Sequence, residues 1–321
     1  MKVHPDAEQA RFAHMQVNLL DWFAANARDL PWRRTRDPYA ILVSEVMLQQ
    51  TQVDRVLPYY TRFLERFPTV HDLADAPTSE VIRIWSGLGY NRRAVNLQRA
   101  AIVVVNELEG RFPDDPVELK KLPGIGSYTA GAISAFAHER DVAFLDTNMR
   151  RVISRVIFES ESVPEPEALE VANALVPPGR GWAWNQALIE FGALQCTARR
   201  PACIVCPLRE TCAAFPTMQA TLGRKRSLVR KTPVPFENTT RYYRGRIVET
   251  LRALPEHDPT GIALTELGSI VQEGFAEENI PWLRGIVEGL QRDGLAVIAE
   301  EPVPYDATAE ATESVPRVRL P

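Results

Sequence analysis

The sequence predicts a mainly α-helical protein with a small α+β domain at its C-terminal end. From residue 8 to about residue 140, apolar side chains recur at three- and four-residue spacing between Pro and Gly breaks, and little of that stretch reads as strand. Residues 241–321 read instead as three helices followed by two short apolar strands. At about 100–200 residues per domain, 321 residues leave room for two or three domains.

The spacing Val17-Leu20-Phe23 predicts a first helix, Ile41-Glu45-Leu48 a helix running from Pro38 to Leu57, and Val81-Ile84-Trp85 a further one. Pro38 suits an early helical position. Two glycines in Leu122-Pro-Gly-Ile-Gly-Ser-Tyr-Thr-Ala130 bend the chain between helices, a helix–hairpin–helix pattern. Backbone amides at the start of the next helix then form an anion site suited to a DNA phosphate, with Lys120 and Lys121 beside it. A simple helix–helix turn is the plainer reading of the same residues.

Composition narrows the possibilities: 45% hydrophobic and 24% charged residues describe a globular chain, excluding collagen, coiled coil and wholesale disorder. No apolar run approaches the ~20 residues that span a bilayer, and the first residues lack the apolar core of a signal peptide. A cytoplasmic protein is expected, with no membrane association. The net charge of −4 means that nucleic-acid binding, if present, comes from local patches and oriented amides rather than bulk charge.

All four cysteines, Cys196, Cys203, Cys206 and Cys212, fall in one short segment, spaced C-x6-C-x2-C-x5-C. In a reducing compartment such a cluster points to thiolate ligands rather than disulfides. A single C-x2-C knuckle with two longer arms favours a [4Fe-4S] cubane over the paired knuckles of zinc sites; zinc and two disulfides are the alternatives. Arg199, Arg200 and Arg209 make this loop basic, for phosphate contact or only for solvation.

Two carboxylates attract interest. Glu45 shares the inward face of its helix with Ile41 and Leu48, where an acid is costly unless functional or paired; Arg33 and Arg55 are the candidate partners. Asp146 precedes the helical run Asn148–Phe158, where an N-cap belongs, so it accepts amide hydrogen bonds and faces the positive helix end. A buried acid that keeps its proton, beside an anion held by amides, is the pair that cleaves glycosidic bonds. A salt-bridged helix acid and a plain cap are the bland readings.

The motifs Leu30-Pro-Trp-Arg33, Ser44-Glu-Val-Met-Leu-Gln-Gln-Thr-Gln-Val53, Gly87-Leu-Gly-Tyr90, Leu122-Pro-Gly-Ile-Gly126, Leu145-Asp-Thr-Asn148 and the cysteine loop occur in that order. Over about residues 10–215 the chain resembles the MutY-type adenine DNA glycosylases of the helix–hairpin–helix, endonuclease III-like superfamily. The resemblance implies a two-lobed helical fold, the hairpin in one lobe and the [4Fe-4S] loop in the other, with double-stranded DNA carrying a mispaired or damaged base as partner. A target adenine is flipped out of the stack. By the same resemblance Glu45 is the general acid and Asp146 stabilises or traps the sugar cation, with Asn148 and Tyr128 beside them. Trp32, Arg33, Leu48 and Gln186 belong to the base pocket, Gln50, Thr51 and Tyr90 to the wedge that fills the duplex, and Gly124 and Gly126 to the DNA-binding hairpin.

The chain departs from lyase-type relatives at Tyr128, where they carry a lysine. It is therefore expected to be a monofunctional glycosylase acting as a monomer on adenine opposite 8-oxoguanine or guanine. Tyr128 also occurs in relatives that remove thymine from T·G mispairs. Thr147 stands where many relatives have glycine, and Asn91 where many have a second tyrosine. A thymine or uracil mismatch glycosylase is the nearest alternative; a non-catalytic iron–sulfur DNA-binding or redox-sensing protein is another.

The expected domain boundaries are 1–218 for the glycosylase domain, 219–240 for a basic linker, and 241–321 for a winged-helix-like domain. In the last, helices 241–254, 265–273 and 281–293 precede a hairpin of 295–298 with 317–320 around an acidic loop. Arg241, Arg244 and Arg246 are its candidate DNA contacts. No β-rich 8-oxoguanine-reading domain is evident.

Overall fold

The computed structural model describes residues 5–221, 235–255, 260–299 and 316–321. Most of the expected linker and the acidic loop between the last strands lie outside them. The chain forms two compact units, each built from two stretches: Met1–Glu45 with Phe112–Ser227, and Val46–Arg111 with Leu228–Pro321.

In the first unit, α1 (Pro5–Asn26) packs on α11 (Gly181–Leu194), with Trp22 edge-on to Phe191 at 5.1 Å. Its inward stripe is Met15, Leu19 and Phe23; Val17, expected inside, is 58% exposed, because the burial phase of the helix falls two residues away. The hairpin is α7 (Pro116–Leu119), a turn anchored by buried Leu122 and Ile125, and α8 (Ser127–Ala137). Next come α9 (Thr147–Phe158) and α10 (Glu165–Leu175); α10 and α11 pack around α9's apolar face. The cysteine loop is tied back to α9 by Ala213 N–H to the Val156 carbonyl (2.9 Å) and Ala214 N–H to the Arg155 carbonyl (3.0 Å). Hairpin and cysteine loop, expected in different lobes, therefore share one unit, since α11 packs against both α8 and α9.

The helix expected from Pro38 to Leu57 is two. α2 (Pro38–Leu48) stops, Gln50 takes a left-handed φ of 56°, and α3 (Val53–Arg66) restarts after Gln52. In the second unit α4 (Val70–Asp75), opened by a Thr69–Asp72 capping box, and α5 (Thr78–Ile84) pack on α6 (Arg92–Glu107).

After the short α12 (Phe215–Thr221), the C-terminal helices fall close to expectation: α13 (Thr240–Ala253), α14 (Leu264–Val271) and α15 (Ile280–Arg292). The strands β2 (Val297–Ala299) and β3 (Arg317–Arg319) pair antiparallel as expected. An additional strand, β1 (Ile262–Ala263), pairs with β3 and gives the order β1-β3-β2. The buried cluster of Ile247, Val248, Leu251, Leu283, Leu290 and Val318 extends to Ile82 and Val95, so the C-terminal segment shares its core with α5 and α6.

Candidate active site and cysteine pocket

Glu45 lies on α2, a helix buried nearly all round, and is itself 5% exposed. Burial pushes its carboxyl up to about 7; a hydrogen bond with the Tyr128 side chain and the positive charge of Arg33 oppose that, while the negative charge of Asp146 adds to it. The four side chains are therefore close enough to feel one another, and all belong to the first unit. Neither Arg33 nor Arg55 pairs with Glu45: Arg33 is held by Glu190, and Arg55 donates to the Gly87 carbonyl.

Tyr128 follows the hairpin glycines on α8 and stands edge-on to Phe144 at 5.2 Å. Its phenol is pushed well above its ordinary range by burial and by the neighbouring Glu45 and Asp146. Asp146 is the N-cap of α9: Oδ1 accepts from Met149 N–H at 2.6 Å, and Oδ2 accepts from Asn148 Nδ2 at 3.2 Å. Arg151 then donates to Asn148 Oδ1 (2.9 Å), the Gly192 carbonyl (2.7 Å) and the Cys196 carbonyl (3.0 Å). A continuous polar chain thus links the Asp146 carboxylate to the first residue of the cysteine segment.

Behind the carboxylates sits a network that sequence reasoning only half found. Glu190, 0% exposed, accepts from Arg28 (2.8 and 2.7 Å) and Arg33 (2.9 Å), and these partners outweigh its burial and hold its carboxyl down at about 2. Arg33 also donates Nε–H to Gln186 Oε1 at 2.8 Å. Gln186 and Glu190 are four residues apart on α11, so that helical spacing was the available signal for Glu190. Trp32, in the short 3-10 turn Pro31–Arg33, is buried in the same unit.

At the hairpin, Gly124 has φ +76°, a conformation glycine adopts without strain, and exposed Gly126 begins α8 without a side-chain cap. Lys121 pairs with Glu118 on the surface, Nζ to Oε2 at 2.6 Å.

The remaining sequence-flagged residues lie in the second unit. Exposed Gln50 and half-buried Thr51 follow α2, with half-buried Leu48 at its end; Tyr90 is 41% exposed with φ +46°. Arg93, which sequence reasoning missed, gathers them. It donates to the carbonyls of Val46 (2.7 Å), Met47 (2.9 Å) and Gln49 (2.7 Å), to Thr51 Oγ1 (3.3 Å), and to the carbonyls of Leu88 and Gly89. Burial pulls its guanidinium down to about 10.

Cys196, Cys203, Cys206 and Cys212, all unpaired and half-buried, line one pocket with Arg155, Arg209, Phe191, Phe215 and Met218. Burial is the main cause that pushes the Cys206 thiol up to about 12. Arg155 donates to the Thr197 carbonyl (2.8 Å) and lies 3.6 Å from Cys196 Sγ, and its buried Nε has no partner. Among the described residues no three His, Cys, Asp or Glu side chains meet at the spacing of a single metal ion. Four thiols lining one pocket with two arginines are a donor set compatible with an iron–sulfur cluster.

Residues 43–178 match the family model described as HhH-GPD superfamily base excision DNA repair protein. The chain is 41% identical over 242 residues to the adenine DNA glycosylase of Mycolicibacterium smegmatis, which covers 74% of this chain and 80% of that one. This chain belongs to the adenine DNA glycosylase family. With the human adenine DNA glycosylase it shares 43% identity over 224 residues, 66% of this chain and 41% of the longer human protein. A thermostable thymine-DNA glycosylase superposes with a TM-score of 0.63 at 32% identity, over 66% of this chain and 99% of that one. An endonuclease III, solved in a non-covalent DNA complex, gives 0.58 at 25% identity, over 66% and 98%. Among the described residues of this family member, no helix is long and apolar enough to cross a membrane.

Proposed function

We propose that this family member excises adenine mispaired with 8-oxoguanine or guanine from double-stranded DNA, by hydrolysis of the N-glycosidic bond and without cutting the strand. The observation that carries this is the buried Glu45 carboxyl, hydrogen-bonded to Tyr128 and facing the Asp146 charge. Glu45 donates its proton to a ring nitrogen of the extruded adenine. The bond to the sugar breaks with its electron pair going to the base, and the Asp146 carboxylate stabilises the cation left on the sugar. Water adds to that carbon and gives up a proton, leaving an abasic site. Asn148 fixes the Asp146 carboxylate, and Tyr128 orients Glu45.

Trp32, Arg33 and Gln186 belong to the base pocket, with Arg28 and Glu190 beside them. Gln50, Thr51 and Tyr90 enter the duplex, and the amides after Gly124 and Gly126 hold a phosphate. Cys196, Cys203, Cys206 and Cys212 would hold a [4Fe-4S] cluster, whose iron–thiolate bonds would cross-link the loop. The protein acts as a cytoplasmic, nucleoid-associated monomer. Its domains are 1–218, a linker 219–240, and 241–321.

The test offers duplexes with A opposite 8-oxoguanine, A opposite G, and T or U opposite G, followed by alkali. Strand breaks at A are expected. A second reading, excision of thymine from T·G mispairs, is favoured by the similarity to the thymine-DNA glycosylase; breaks only at T or U would replace the first reading with it. No breaks at all would leave a DNA-binding protein without glycosylase activity. Borohydride should trap no amine-linked DNA adduct, because Tyr128 occupies the lysine position.

A further inference from the structure

The Tyr90 ring in the second unit has a partner from the C-terminal domain. The Arg241 guanidinium, in the first turn of α13, lies 4.2 Å from its centroid and 5.9 Å from that of Phe236, which is 55% exposed. Nothing in the helix accounts for a cation there. Positive charge at a helix N-terminus opposes the helix dipole. The other arginines of α13 are engaged: Arg244 with Asp293, Arg246 with the Ile270 carbonyl (2.7 Å), and Arg252 with the Ile82 carbonyl (3.0 Å) and Asn91 Oδ1 (2.8 Å). Among the described residues no hydrogen bond or ion pair engages the exposed Arg241, which stacks on the two rings.

The arrangement is held firmly. Arg83 donates to the Leu254 and Arg252 carbonyls, and Arg252 returns bonds to Ile82 and Asn91, the residue after Tyr90. The Gly89 carbonyl accepts from Trp85 Nε1 at 3.1 Å and Arg93 at 3.2 Å, which supports the left-handed conformation at Tyr90. An exposed, unpaired guanidinium stacked on an exposed ring is an arrangement suited to DNA. The ring offers a face for a base, and the cation reaches a phosphate while keeping its cation–π contact.

We infer that Arg241 is a DNA-contacting residue by which the C-terminal domain engages the phosphate backbone beside the Tyr90 turn. The inference rests on the proposed reading of Tyr90 as a residue that enters the duplex. It gives the C-terminal domain a part in duplex engagement next to the mispair and singles out Arg241 among the candidate contacts Arg241, Arg244 and Arg246.

The full-length protein is titrated with a duplex carrying non-hydrolysable 2′-fluoro-2′-deoxyadenosine opposite 8-oxoguanine, across a series of KCl concentrations. Arg241→Ala should weaken binding on the order of tenfold near 0.1 M salt and lower the slope of log affinity against log salt by about one. Arg241→Lys should keep the slope while losing part of the affinity. Arg284→Ala, on an exposed stretch of α15, serves as the surface control and should match the wild type. If Arg241→Ala lowers the melting temperature, Arg241→Gln at matched stability gives the same reading. A wild-type slope in the charge-free variants overturns the inference, whatever the affinity does, because it shows packing alone. Wild-type protein that binds this duplex but excises no adenine from its hydrolysable counterpart sinks the proposed function and leaves Arg241 standing. Normal excision with an unchanged slope sinks Arg241 alone.

Discussion

The Glu45 carboxyl makes the reaction sensitive to pH. With its proton held up to about 7, it is a competent acid near neutrality, and single-turnover adenine excision should fall on the alkaline side with a midpoint near 7. The Tyr128 hydrogen bond pulls the other way, so Tyr128→Phe should move that alkaline limb to higher pH, read from the same rate profile. Glu45→Gln should lower excision on the order of 10²–10⁴-fold with duplex affinity retained. Stability runs in the same direction. A carboxyl whose proton is held tighter in the folded state stabilises the fold below the unfolded value near 4.5 and loses that contribution as pH rises through about 7. Glu45→Gln should therefore melt higher than the wild type at pH 8.

Glu190 behaves inversely. Its stabilising contribution is present above about 4.5 and is lost as pH falls through about 2. Replacing it removes the carboxylate shared by Arg28 and the nearly buried Arg33; Glu190→Gln should cost about 3–5 kcal/mol, measured by urea unfolding at pH 7. Glu45 was legible because it breaks a local rule, an acid on an apolar face, and Asp146 because it obeys one, an acid at the N-cap before a helix. Glu190 was not, because nothing near it in sequence announces two arginines more than 150 residues away.

At the scale of elements, the sequence foretold helices better than where they stop. Apolar spacing continues from Pro38 to Leu57, yet α2 ends at Leu48, because Arg93 takes the carbonyls of Val46, Met47 and Gln49. That cap comes from more than 40 residues away and leaves no local signature. It turns a helix end into a fixed platform for Gln50, Thr51 and the Tyr90 turn. Arg93→Met keeps the stem but leaves those carbonyls unpaired, each worth about 1–3 kcal/mol where buried. The expected result is a clear drop in melting temperature together with a weaker preference for mispaired over matched duplex. A variant that melts lower yet keeps the full preference would show that Arg93 stabilises without organising the wedge. Strand β1 was missed for a related reason: two residues, Ile262 and Ala263, carry no alternation to read, and their pairing exists only because β3 returns from far along the chain.

At the scale of the molecule, the surprise lies in how the C-terminal segment finds its core. Read along the chain, three helices and a hairpin after a basic linker suggest a module that folds by itself. Its buried residues instead form one cluster with Ile82 of α5 and Val95 of α6, and Arg83 and Arg252 exchange bonds across the same contact. Sequence periodicity reports which face of a helix is apolar but not which distant helix covers it, so this sharing was not legible. Its consequence is thermodynamic coupling between segments more than 130 residues apart. Leu251 is fully buried in that cluster, and Leu251→Ala should cost about 2–5 kcal/mol. If the shared core unfolds as one unit, hydrogen exchange in the variant should accelerate at the amides of α5 and α6 by the same free energy as at those of α13, while α9 and α11 of the first unit keep wild-type protection. Acceleration confined to α13, α14 and α15 would show instead that the C-terminal domain opens alone and that α5 and α6 hold their structure without it.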